Sequence, residues 1–328
     1  MRLLGRILFF VVGAACLGWG ALGLHFQAPP AAATPLIVVW LVIGFGILLL
    51  VRPFRRRLLA LSALLLVWSL WWSTIRPSND RNWQPDVANA PYAELDGTRL
   101  TIHNVRNFDY RSETDYTPHW ETRTYDLDHL DRLNLFLSYW SGPSIAHTIM
   151  SWSFTDGPPL AISIETRKEV GESYDPVAGF FRRYELYYVV ADERDLIRLR
   201  TNYRGETVHL YPLRAPHDRA RKMLLDYVAS MNSLAKKPEW YNAATQNCTT
   251  TIRTHVRNIG LSMAWDWRIL VNGYIDELLY ERGAIDTSRP FAVVHETSVI
   301  DAAAKAADQD PDFSARIRAG MPMPPLLY

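Results

Sequence analysis

Cysteine is nearly missing from this chain. Its 328 residues hold two, Cys16 and Cys248. Cys16 lies in an apolar run, so a disulfide framework is excluded. Net charge is +1, too little for the electrostatic footprint of a nucleic-acid binder. No HExxH, no CxxC and no dense His/carboxylate cluster occurs, which argues against a metal site. The soluble part contains neither a P-loop nor a dinucleotide fingerprint, and the chain has no internal repeat. No cofactor is expected.

Apolar residues and tryptophan, by contrast, are plentiful. Ile7 to Phe26 is an apolar run long enough to span a bilayer core. A second runs from Ala31 to Val51 after the Pro29-Pro30 break, and a third from Leu58 to Ile75. A cleaved signal peptide would explain the first run alone; two further spans favour a permanent three-span anchor over residues 1–76. Arg2 and Arg6 precede the first span. The loop before the second has no Lys or Arg, whereas the loop RPFRRR carries Arg52, Arg55, Arg56 and Arg57. The positive-inside rule then puts the N-terminus in the cytoplasm and everything after about Arg76 outside. Trp68, Trp71 and Trp72 sit at the outer end as interfacial anchors. No Asp, Glu, Lys or Arg falls inside the runs, which argues against a transport path. The expected location is a bacterial inner membrane, multi-pass, with the C-terminal domain in the periplasm.

The stretch 77–97 is polar and rich in Pro and Asn, and reads as a linker. Residues 98–262 read as an α+β domain. Thr98–Phe108 and Glu121–Asp128 suggest strands, and Leu133–Trp140 is strand or short helix. Ile145–Phe154 and Leu160–Arg167 flank a DGPP turn and read as a hairpin. Asp175 opens a short helix through Phe181. Arg183–Val190 is a strand, Asp192–Arg200 a helix, Thr207–Tyr211 a strand and Pro216–Leu234 an amphipathic helix. Residues 263–328 form a helical C-terminal extension with a Pro-rich end.

Chemistry centres on NAATQNCTTTIRTH, residues 242–255. Thr245 and Asn247 are good N-cap residues. From Cys248, apolar residues recur at Ile252, Val256 and Ile259, one face of an amphipathic helix turned to the core. Cys248 therefore sits at a helix N-terminus, where N–H groups and the macrodipole favour a thiolate. The competing reading is a buried structural cysteine acting as a small hydrophobe. In an oxidising compartment a lone thiol has no disulfide partner, so if reactive it is there for its chemistry.

A nucleophile needs a base. His255 shares the helix face but lies two turns away, about 10 Å along the axis and out of hydrogen-bond reach. Of His103, His119, His129, His147, His209, His217 and His295, only His147 sits inside a strongly apolar strand, sharing a face with Ile149 and Ser151. It is the expected partner, against the reading of a satisfied core histidine. Glu165 is the candidate to orient it, because a hairpin brings its strand alongside; the alternative is a surface carboxylate paired with Arg167. Tyr184 and Asn247 are weaker supporting candidates. Arg182, Arg183, Arg194 and Arg198 suit lipid phosphate, or simply form solvated faces.

SIAHTIMSWSF, the run from LAISIETR to LRTNYR, and EWYNAATQNCTTTIRTHV resemble the Lnb-type N-terminal periplasmic domain over roughly Leu133 to Ile259. The best understood members are lipoprotein intramolecular acyltransferases. The resemblance implies a Cys–His pair at Cys248 and His147. It also implies a papain-like fold of the permuted NlpC/P60 type, in which the His strand precedes the Cys helix. The expected function is acyl transfer through a thioester, on a lipid or lipoprotein at the membrane. A cysteine amidase or peptidase of cell-wall peptide, and a non-enzymatic envelope-assembly module, are the alternatives.

Overall fold

The computed structural model describes residues 3–262 and 264–327; Met1, Arg2, Met263 and Tyr328, and so one of the charges used to orient the first span, lie outside the described residues. The described chain forms two compact units. One contains residues up to Ser78 together with 174–185 and 240–243; the other contains 79–173, 186–239 and 244 onward.

In the first unit α1 (Leu3–Gln27), α2 (Pro30–Leu50) and α3 (Phe54–Thr74) are each long and apolar enough to cross a membrane. Glycines let them approach closely. A Cβ on Gly44 would lie 2.3 Å from Leu17, and one on Gly20 2.5 Å from Trp40. The Trp40 indole also donates to the Leu17 carbonyl at 2.8 Å. Segment 174–185 packs on the helix ends. Gln27 donates to the carbonyls of Phe181 and Arg182 at 2.9 and 2.7 Å, and Phe26 stacks on Phe181. The Arg182 guanidinium donates to the Trp72 carbonyl at 2.6 Å, satisfying one of the orphan carbonyls at the end of α3. The short helix expected from Asp175 through Phe181 is only a 3₁₀ turn, Ala178–Phe180.

The second unit is built on strands β1 (Tyr92–Asp96), β2 (Arg99–Arg106), β3 (Asp109–Tyr110), β4 (Tyr116–Thr117), β5 (Trp120–Asp126), β6 (Leu130–Tyr139), β7 (His147–Phe154), β8 (Leu160–Arg167), β9 (Glu185–Asp192) and β10 (Thr207–Pro212). Eight of them form one mixed sheet in the order β1-β2-β9-β8-β7-β6-β10, with β5 on β2. The pairs β6–β7 and β7–β8 are antiparallel; β2–β9 is parallel. Leu133–Trp140, ambiguous by pattern, falls in strand β6 up to Tyr139, and both faces of that strand are covered.

Helices cover both faces. They are α4 (Glu193–Arg198), α5 (His217–Lys236), α6 (Cys248–Asn258), α7 (Ile275–Glu281), α8 (Phe291–Thr297), α9 (Asp301–Ala306) and α10 (Phe313–Arg316). Alternation along β7 divides its side chains between the faces. Trp152 points to α5, donating to the Ala220 carbonyl at 2.9 Å and meeting Tyr227 edge-on. Ile149 points the other way, into a cluster with Phe136, Ala161, Leu196, Ile300, Phe313 and Ile317.

The segments on either side of residues 98–262 both pack onto the sheet. Residues 77–97 are no simple linker: Val87 is buried and Tyr92–Asp96 pairs with β2. The C-terminal extension is helical as expected, and its Phe313 and Ile317 share the core cluster of the sheet. Arg318 donates to the fully buried Glu193 at 2.7 and 2.6 Å. The four arginines weighed as phosphate contacts all have partners within the chain. Arg182 and Arg183 donate to carbonyls at the ends of α3 and α1, and Arg194 pairs with Asp109 at 2.7 Å. Arg198 is wholly buried and donates to the Asp308 carbonyl, so it is not part of a solvated face.

Candidate active site

Cys248 is the first residue of α6. Asn247 caps that helix: its side chain accepts the Thr250 N–H at 2.9 Å, while the Thr250 hydroxyl accepts the Asn247 N–H at 3.0 Å. This reciprocal cap fixes the direction of the first turn. The thiol is half-buried. His147 is the first residue of β7, paired with Ser138 on β6, and its side chain is 15% exposed. Cys248 lies close enough to His147 and to the Thr148 backbone N–H for both to favour its thiolate, and its sulfur is 3.7 Å from the Thr249 hydroxyl.

The far side of the imidazole is held by β8. Its Nε2 lies 2.5 Å from the Ser163 hydroxyl, and that hydroxyl donates to Glu165 Oε1 at 2.8 Å. Glu165 itself is 3.5 Å from Nε2, an ion-pair distance, so Ser163 carries the hydrogen bonds between them. Glu165 is not paired with Arg167, which is buried and donates to the Val87 and Ala88 carbonyls. Its cation is Arg200, whose guanidinium reaches Glu165 at 2.9 Å and Glu206 at 3.1 Å. Glu206 in turn accepts from Ser138, the residue opposite His147. Arg200 stands on a π-helical turn, Leu199–Tyr203, that continues α4. A one-residue widening of this kind re-aims a side chain.

The charges agree with the geometry. Burial pushes the Cys248 thiol up, but the hydrogen bond and charge of His147, the Thr148 N–H and the Thr249 hydroxyl outweigh it, and the thiol is lowered to about 7. For His147, burial and Arg200 favour the neutral ring, yet Cys248 and Glu165 prevail and its pKa is raised. Glu165 is also disfavoured as an anion by burial, but His147 and Arg200 hold it well below the usual carboxylate range. The arrangement favours a thiolate–imidazolium pair, backed by a carboxylate held below its usual range.

Three site residues escaped the sequence reading, Arg200 among them, which reads only as the last residue of a charged helix. Ser163 reads as a small residue on an alternating strand. Asn272 lies in the C-terminal extension, in a 3₁₀ turn with no periodic signal. Its side chain clamps the residue before His147, accepting the Ala146 N–H at 3.0 Å and donating to the Ala146 carbonyl at 2.6 Å. It also donates to Thr249 at 2.7 Å and lies 3.8 Å from the Cys248 sulfur. One buried amide thus ties the residue before β7 to the first turn of α6.

The remaining candidates lie elsewhere. Tyr184 belongs to the first unit, where its hydroxyl accepts the Asp175 N–H at 2.9 Å. His255 is buried, bonded to Asp226 at 2.6 Å and the Tyr188 hydroxyl at 2.7 Å. It locks α6 against α5 and β9. His209 stacks on His295 beside Asp276; burial is the main cause of a pKa near 4, so it stays neutral. His103 stacks on Tyr92. Among the described residues no three His, Cys, Asp or Glu side chains converge as a metal would require.

The face of α6 behaves unlike its pattern. Ile252 and Val256 are only half-buried, and the buried residues are Thr249 and His255. A cavity of about 220 Å³ lies beneath the helix and takes the place of packing. A larger depression of about 770 Å³, walled by Asp131, Asp192 and Arg318 among others, has none of the neighbours of the pair on its wall, whereas Thr148 and Thr249 line the smaller cavity.

No curated protein and no solved structure matches the chain. One family model does, over residues 116–273, a span that holds Cys248, His147, Ser163, Glu165, Arg200 and Asn272 alike. The model is that of the Lnb N-terminal periplasmic domain, and the segment it matches follows three helices long and apolar enough to cross a membrane.

Proposed function

We propose that the protein is a membrane-anchored, periplasmic thiol acyltransferase that works on a lipid or lipoprotein through a thioester on Cys248. The observation that carries this reading is the Cys248–His147 pair with its carboxylate, Glu165, reached through Ser163. With Nε2 engaged by Ser163, Nδ1 is the ring nitrogen left for the thiol. The thiolate attacks an acyl ester carbonyl. As the C–S bond forms and the C–O bond breaks, the departing alkoxide takes the proton from His147. An amine or water then attacks the thioester, gives its proton back to His147, and releases the Cys248 thiolate. N–H groups of the first turn of α6 offer the oxyanion a place, at about 3 kcal/mol per donor in studied hydrolases. Glu165 and Ser163 hold the ring and stabilise its charged form.

Three apolar helices at the N-terminus keep the domain at a bilayer, which supports a substrate embedded there. The test is intact-mass analysis of the full chain purified from membranes and incubated with diacyl lipid or lipoprotein. An acyl mass is expected, absent in Cys248→Ser. Release of peptidoglycan fragments without any acyl mass would favour the amidase reading. A folded-state thiol inert to alkylation would leave only a structural cysteine.

A further inference from the structure

The cavity under α6 has an apolar lining that the thiol chemistry alone does not require. Leu133, Leu135 and Met150 wall it from the sheet, Ile252 and Val256 from α6, and Met223 from α5. Arg214 contributes its aliphatic stem, its guanidinium being held by the Gly283 and Pro325 carbonyls. At one end stand Thr148 and Thr249, the immediate neighbours of His147 and Cys248, with their hydroxyls 3.3 Å apart. From Thr249 the wall follows α6 to Ile259, ten residues on, about 15 Å at helical rise. Along the sheet it follows β7 from Thr148 to the level of Leu133, which pairs with Trp152; four residues of strand give about 13 Å.

We propose that this cavity is the seat of a single unbranched hydrocarbon chain, namely that of the acyl group held at Cys248, and that Met223 sets how much of the chain is enclosed. The inference rests on the acyl-transfer reading and gives that reading its chain-binding residues. Its length matches the depth that one membrane acyl chain occupies, half of a hydrocarbon core about 30 Å thick. An apolar void of about 150 Å³ stays dry and takes a six-carbon ring. By that measure the 220 Å³ here encloses roughly nine carbons. The half-buried apolar face of α6 then has a partner, supplied by substrate rather than by the chain.

Two measurements on the full chain in nanodiscs test this. In the first, the rate of Cys248 acylation is followed by intact mass with N-acetylcysteamine thioesters from butanoyl to palmitoyl. The rate should rise about fourfold per added methylene until roughly nine carbons are enclosed, then level off. Met223→Trp should move that break to shorter chains, and Leu135→Ala should move it to longer ones. A length-independent rate, or a break that neither variant moves, would overturn the proposal. In the second, Cys248→Ser, which cannot form a thioester, is irradiated with a fatty acid bearing a terminal diazirine. Adducts are expected on the peptides holding Met223 and Val256; adducts confined to α1–α3 would also overturn it. If no donor acylates wild type yet the adducts map to the cavity, the acyl-transfer reading fails and the hydrocarbon site stands.

Discussion

Each side chain at the site owes its state to its neighbours. The Cys248 thiol is lowered to about 7 by His147 first among the groups that oppose burial. A small neutral alkylating reagent should therefore react with wild type as pH rises through about 7. His147→Ala leaves burial unopposed by the imidazolium, so its profile should move up by a unit or more, each unit being about 1.4 kcal/mol of lost thiolate stabilisation. An unmoved profile would separate the two residues. Ser163→Ala should shift it less, because Glu165 remains within ion-pair distance. Glu165 is depressed in the folded state, so its contribution to stability is present above its ordinary value of 4.5 and is lost as pH falls through the lower folded value. Glu165→Gln should thus destabilise the protein near neutral pH, with the difference from wild type narrowing in acid; a pH-independent difference in denaturant midpoint would contradict this. Asn272→Ala removes the partners of a buried backbone N–H and carbonyl at Ala146. It should cost about 1–3 kcal/mol in denaturant unfolding and slow acylation as well.

At the scale of elements, the dyad exists because a strand and a helix from distant parts of the chain start at the same place. The loop 140–146 is what keeps them there. A Cβ on Gly273 would fall 2.0 Å from the Pro143 carbonyl oxygen, so Gly273→Ala must push that loop away from Asn272. Displacing a reacting group by about 1 Å typically costs a hundredfold in rate. The variant should lose about that much acylation while keeping its circular dichroism spectrum. Full activity would show that the loop is not what sets the position of His147. The cap of α6 is a separate and smaller matter. Asn247→Ala should cost about 1 kcal/mol of stability, read as a lower thermal midpoint.

On the scale of the whole molecule, charge near the first three helices predicts an orientation. Arg52, Arg55, Arg56 and Arg57 crowd one loop, and the loop between α1 and α2 has no Lys or Arg. Reporter fusions placed after Arg57 and after Tyr328 should report opposite sides of the membrane. The same side for both would overturn the three-span arrangement. Glycine packing within the anchor gives a second check: Gly44→Leu should loosen the helices, because Leu17 already fills the space a side chain would need.

Much of the site was legible in residue order because its signals are local. An N-cap before Cys248, an alternating hairpin that sets Glu165 beside the His147 strand, and apolar runs of bilayer length each depend on a few neighbouring residues. Tertiary structure alone decided the rest. Arg200 reaches Glu165 from a π-helical turn, Ser163 joins His147 to Glu165, and Asn272 reaches back from beyond α6 to Ala146. These are contacts between residues far apart in sequence, and no periodicity records them. The face of α6 shows the limit most plainly. Spacing shows that Ile252 and Val256 share a side, but whether that side meets side chains or a cavity depends on how the sheet, α5 and α7 close around it. A pattern of apolar residues states only that water is excluded; what excludes it is settled by packing.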